Sequence, residues 1–134
     1  NEVSSKKGVI RGLHYQLEFP QGKLVRAVVG TILDVAVDIR LGSPTYARYI
    51  IVELSAENKK MLYVPEGFAH GYLVISDESI VTYKCTNFYN PDDEYGIRWD
   101  DKTINIDWGH NSPIISKKDD NLPLLKYQKL LPKY

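Results

Sequence analysis

Histidines stand at positions 14, 70 and 110, and imidazole is the side chain best suited to exchange protons near neutral pH. Two of them sit in dense motifs. His14 lies in Gly8-Val9-Ile10-Arg11-Gly12-Leu13-His14-Tyr15-Gln16, where glycines flank an arginine. Alternation along an extended segment puts Arg11 and Leu13 on one face and Gly12 and His14 on the other. His70 lies in Pro65-Glu66-Gly67-Phe68-Ala69-His70-Gly71, a turn that leads straight into a strand. A lone histidine in a β protein is often a hydrogen-bonded structural residue. Two with glycine beside a strand favour proton transfer.

Metal binding is the competing chemistry. Small β-barrels that hold a metal through histidines typically take a His-x-His pair from their first motif, but Tyr15 and Gln16 follow His14. A facial triad for iron from His14, His70 and one carboxylate stays open on these residues. No serine or cysteine occupies a nucleophile elbow and no GxxxxGK loop is present, so covalent hydrolysis is unsupported. Arg11, Lys23 and Lys118 offer positive charge, and Phe88, Tyr89 and Trp99 offer stacking faces. Together they would suit an anionic ligand that carries a ring.

Strands must position these groups. From Leu33 to Arg40, Leu33, Val35, Val37 and Ile39 share one face, which must be buried, and Asp34, Asp38 and Arg40 take the other. Comparable runs cover Lys23 to Val29, Tyr49 to Leu54, Lys60 to Val64, Gly71 to Ile75 and Ser79 to Cys85. In the last of these, Tyr83 shares a face with Val81 and Cys85. The runs are separated by turn-forming stretches such as Pro20-Gln21-Gly22, Gly42-Ser43-Pro44 and Asn90-Pro91-Asp92-Asp93. This spacing predicts an all-β sandwich or small barrel. Only the tail after Pro113 has room for a short helix, with Pro123 in its first turn, or for an irregular flap.

The chain of 134 residues is read as a single domain, 1–134. Lys plus Arg number 17 and Asp plus Glu number 17, so no net field draws it to nucleic acid or membrane. One cysteine, Cys85, allows no internal disulfide and fits a reducing, cytoplasmic setting. No apolar run approaches the roughly 20 residues of a membrane helix. The chain starts without methionine and enters a motif almost at once, which suggests a preceding N-terminal segment.

Taken together, GVIRGLHYQ, QGKLVR, DVAVDIRLGSPTY, ELSAENKKMLYVPEGFAHGYLV, YKCTNFYNPDDEYGIRWDD and IDWG followed by PIISKKD closely resemble the dTDP-4-dehydrorhamnose 3,5-epimerase family from residue 1 to about residue 125. The resemblance implies a cupin (jelly-roll) β-barrel and a homodimer. It implies epimerisation at C3 and C5 of dTDP-4-dehydro-6-deoxy-D-glucose, a step toward dTDP-L-rhamnose. It also implies roles: His14 as base, Asp119 as its partner, Tyr83 as the opposing acid and Lys23 at the enolate oxygen. Arg11, His70, Tyr89, Glu94 and Lys118 would contact substrate, and Asn1 would be the edge of a further contact segment. Family chains extend further at the N-terminus by several tens of residues.

That chemistry suits these residue types. Removing a proton beside a ketone makes an enolate, whose oxygen a fixed ammonium stabilises strongly where water is excluded. A carboxylate on the far nitrogen of the base fixes its tautomer. Inversion needs a second donor across the ring, which a tyrosine on a facing strand supplies. No step transfers electrons or activates water, so neither cofactor nor metal is expected.

Overall fold

A computed structural model describes residues 1–134. Ten strands form two sheets: β1 (Glu2–Lys6), β2 (Val9–Gln16), β3 (Lys23–Val29), β4 (Thr31–Asp38), β5 (Tyr49–Ser55), β6 (Met61–Val64), β7 (Phe68–Val74), β8 (Glu78–Cys85), β9 (Glu94–Gly96) and β10 (Ile114–Ile115). One sheet has the order β1-β8-β3-β6. The other has the order β10-β2-β7-β4-β5, with β9 also on β2. The sheets face each other as in a jelly roll, and no helix is long and apolar enough to cross a membrane.

Apolar side chains fall into two clusters, one on each face of the larger sheet. Val25, Ala27, Val64 and Val81 of the smaller sheet meet Ile32, Ala36, Leu54, Tyr72 and Val74 of the larger one inside the barrel. On the outer face, Ile10, Leu13, Val35, Val37, Ile39 and Leu73 pack under Ile97, Ile104, Trp108 and Leu125 from the second half of the chain. Full burial of one such Leu or Ile stabilises by about 1.5–3 kcal/mol relative to exposure.

The covered outer face corrects the expectation for β4. Val35, Val37 and Ile39 are buried as expected, but Asp34 and Asp38 on the opposite face are buried too. A carboxylate in that position needs internal partners. Asp38 has them in Arg40, Ser43 and Thr45, and Arg40 is in turn stacked between the rings of Phe68 and Tyr134. Asp34 reaches His70.

The tail holds two short helical turns, α1 (Lys117–Asp120) and a 3-10 turn at Leu125–Tyr127, which fall on either side of Pro123. Pro123 therefore lies in neither helix, which rules out the alternative of a helix with Pro123 in its first turn. Ser116 caps α1, its side chain accepting from the Asp119 amide. On the outer face of the smaller sheet, Leu24 and Met61 are exposed, and Tyr63 stands directly opposite Leu24.

Candidate active site

Between the sheets lies a cavity of about 410 Å³. Arg11, His14 and His70 enter it from the larger sheet, and Lys23 and Tyr83 from the smaller one. Asn1, Tyr89, Glu94, Lys118 and Asp119 complete the set of residues singled out from the sequence. Phe88 and Trp99 do not belong to it, which corrects the stacking set proposed above. Phe88 is 89% exposed, and Trp99 packs against the outer cluster, where its carbonyl accepts from the Trp108 indole. His110 also lies elsewhere, accepting from the Ser112 amide.

An irregularity in β2 builds the base. Its pairing with β7 slips between Arg11 and His14, so Ile10 and Leu13 face the outer cluster while Arg11 and His14 both face the cavity. Simple alternation had placed Arg11 and His14 on opposite faces; the slip adds the residue that reverses this. Gly12 occupies the slip with φ +114, and a Cβ there would stand 2.6 Å from the His70 carbonyl oxygen. Only glycine suits both constraints.

The Gly12 amide, freed from strand pairing, donates to Asp119 Oδ2 at 3.0 Å. Asp119 Oδ1 lies 2.6 Å from His14 Nε2. Burial pushes the Asp119 carboxyl upward, but the His14 hydrogen bond and charge and the Gly12 amide outweigh it and hold the group below the ordinary carboxylate range. Asp119 is thus a charged, fixed acceptor. Nδ1 of His14 is left toward the cavity, where Glu94 Oε1 is its nearest acid at 3.8 Å.

The facing sheet supplies the other groups. Val25 and Ala27 are wholly buried on the inner face of β3, and Lys23 continues that face. The Lys23 ammonium has no ion pair within 4.0 Å. Burial lowers its pKa, and the charges of Cys85, Glu94 and Asp34 offset this only in part. Tyr83 lies on β8, where Cys85 pairs with Lys23 and Tyr83 with Val25. Burial raises the Tyr83 pKa, followed by the charge of Cys85, so its hydroxyl stays protonated.

A polar edge closes one side. Glu94 Oε2 accepts from the Tyr89 hydroxyl at 2.9 Å and from the Lys118 ammonium. Burial pushes Glu94 upward, but those two hydrogen bonds and the charge of His14 bring it below its ordinary value. Arg11 Nε donates to Ser5.

Two inner groups escaped the sequence reading. Asp34 Oδ1 lies 2.7 Å from His70 Nε2, while its Oδ2 is buried without a partner. Tyr72 stands across from Asp34 in the strand register, and burial raises its pKa. The only signal for Asp34 was a carboxylate inside an apolar run, which alternation placed on the face opposite Leu33, Val35, Val37 and Ile39.

The arrangement can therefore remove a proton from one face of a bound ring, stabilise an oxyanion with Lys23 and deliver a proton from the other face. A family model described as dTDP-4-dehydrorhamnose 3,5-epimerase matches residues 1–127. A dTDP-4-dehydrorhamnose 3,5-epimerase from Shigella flexneri is 58% identical over 122 residues, covering 90% of this chain and 67% of that protein. The chain thus spans about two thirds of that relative. The crystal structure of an epimerase from Legionella pneumophila in complex with dTDP-4-keto-L-rhamnose superposes with a TM-score of 0.97 at 47% identity, covering 100% of this chain and 73% of that one. A 3'-monoepimerase from Streptomyces bikiniensis in complex with dTDP-quinovose gives a TM-score of 0.94 at 36% identity, covering 100% and 70%. This chain belongs to the dTDP-4-dehydrorhamnose 3,5-epimerase family.

Proposed function

We propose that the chain epimerises C3 and C5 of dTDP-4-dehydro-6-deoxy-D-glucose to give dTDP-4-dehydro-L-rhamnose, using side chains alone. The observation that carries this reading is that the His14–Asp119 pair and Tyr83 enter one cavity from opposing sheets. His14 Nδ1 takes the proton beside the C4 ketone, while Asp119 on Nε2 stabilises the imidazolium that forms. Lys23 holds the charge that develops on the ketone oxygen. Tyr83 then returns a proton to the opposite face of the carbon. His70, Arg11, Tyr89, Glu94, Lys118 and Asn1 hold the nucleotide sugar.

The protein works as a homodimer on this reading. Exposed Leu24, Met61 and Tyr63 on β3 and β6 form an apolar strip suited to a second copy.

Incubation with the dTDP-4-keto sugar in D₂O tests the reaction. The expected result is deuterium at both C3 and C5 by NMR. Deuterium at C3 alone would assign the chain to the activity named for its Streptomyces bikiniensis neighbour, and deuterium at neither would leave only a binding barrel.

A further inference from the structure

We propose that Glu94 is the exit for the proton that His14 collects, a relay that resets the base while the sugar still fills the cavity. The inference rests on the epimerase reading above. Each inversion moves one proton from carbon to His14 Nδ1 and another from the Tyr83 hydroxyl to the opposite face of that carbon. It leaves an imidazolium and a phenolate. A second carbon of the same sugar is inverted only after His14 has lost its proton and Tyr83 has regained one.

The geometry offers His14 one protein acceptor for that proton. Its Nε2 is bound to Asp119, which is buried and whose other oxygen is taken by the Gly12 amide. Its Nδ1 faces the cavity, where a bound ring shuts off bulk water. Within 4.0 Å of Nδ1 the one acid group is Glu94. A small rotation or a single bridging water spans the 3.8 Å between them. Glu94 itself keeps some contact with solvent, its side chain being 15% exposed at the edge where Tyr89 and Lys118 hold its other oxygen.

The transfers balance. The proton on His14 Nδ1 passes to Glu94 Oε1, giving neutral imidazole and a carboxylic acid. The acid then passes it to water or a buffer base and becomes carboxylate again. The Tyr83 phenolate takes one proton from a solvent acid. Lys118 and Tyr89 keep the Glu94 pKa low, so the proton stays there only in transit. Glu94 acts through His14 and not on the reacting carbon.

The test is deuterium incorporation at each carbon during the first turnover, with the full chain in excess over sugar in D₂O, for wild type, Glu94→Gln and Glu94→Asp. Weaker sugar binding would lower uptake at both carbons alike. A lost relay lowers the second incorporation relative to the first. Glu94→Gln is expected to reduce that ratio about tenfold or more. Added formate should restore it in proportion to concentration, and Glu94→Asp should keep most of it. Equal slowing at both carbons, or loss that formate does not relieve, overturns the relay. Wild-type protein that deuterates neither carbon would instead overturn the epimerase reading itself.

Discussion

Two imidazole–carboxylate pairs stand side by side on β2 and β7, where His14 and His70 are register partners. Their bonds are nearly equal, 2.6 Å for His14–Asp119 and 2.7 Å for His70–Asp34. Their surroundings differ. The His14 side chain is 24% exposed, and its carboxylate comes from α1, outside the sheets, with both oxygens engaged. The His70 side chain is 7% exposed, and its carboxylate comes from the neighbouring strand with one oxygen unpartnered. Hydrogen-bond length therefore does not separate the proposed base, His14, from His70. Side-chain exposure and a fully satisfied carboxylate do.

Substitutions sharpen this contrast. His14→Ala should abolish deuterium uptake at both carbons, with turnover down about 10²–10⁴-fold or more and the melting temperature little changed. Surviving exchange would remove His14 from the role of base. Asp119→Asn should lower kcat by about 10²–10⁴-fold, since an amide releases the tautomer and no longer stabilises the imidazolium.

The matching change in the other pair should act on stability. Asp34→Asn puts a neutral amide in place of the buried carboxylate beside His70 and is expected to cost about 1–3 kcal/mol in urea unfolding. A stability loss from Asp119→Asn as large as that from Asp34→Asn would erase the distinction between the pairs.

Tyr83→Phe should impair inversion more than exchange, because His14 alone can return deuterium to the original face. Equal loss of both, measured by NMR, would count against an opposing acid.

The smallest effect is on acid stability. Asp119 and Glu94 titrate below their ordinary values in the folded chain. Their contribution is complete above the unfolded carboxylate range, near pH 4, and is lost as pH falls through and below it. Urea midpoints should drop on acidification, and Asp119→Asn should flatten that slope. An unchanged slope would place the acid sensitivity elsewhere.

The sequence made the strand grammar and the facing positions legible because side-chain alternation is regular from Lys23 to Ala27 in β3 and from Val81 to Cys85 in β8. Lys23 follows Val25 and Ala27, and Tyr83 follows Val81, on one inner face. Alternation failed where the backbone departs from regular pairing. The slip at Gly12 reverses the side of His14 relative to Arg11. Asp34 was hidden for another reason: local sequence does not reveal that Ile97, Ile104, Trp108 and Leu125 will cover the outer face of the larger sheet, so both faces of β4 are buried. The strands β1, β9 and β10 were missed as well. Glu2–Lys6 is largely polar, and β9 and β10 have three and two residues, too few for any period to register.

A crystal structure of the full chain with dTDP-4-keto-L-rhamnose tests the division of labour most directly. The account predicts His14 Nδ1 within about 3.5 Å of C3 or C5 on one face of the ring. It places the Tyr83 hydroxyl on the other face, with His70 touching the sugar but aimed at neither carbon. A ring that presents C3 and C5 to His70, or that has His14 and Tyr83 on the same side, would contradict it.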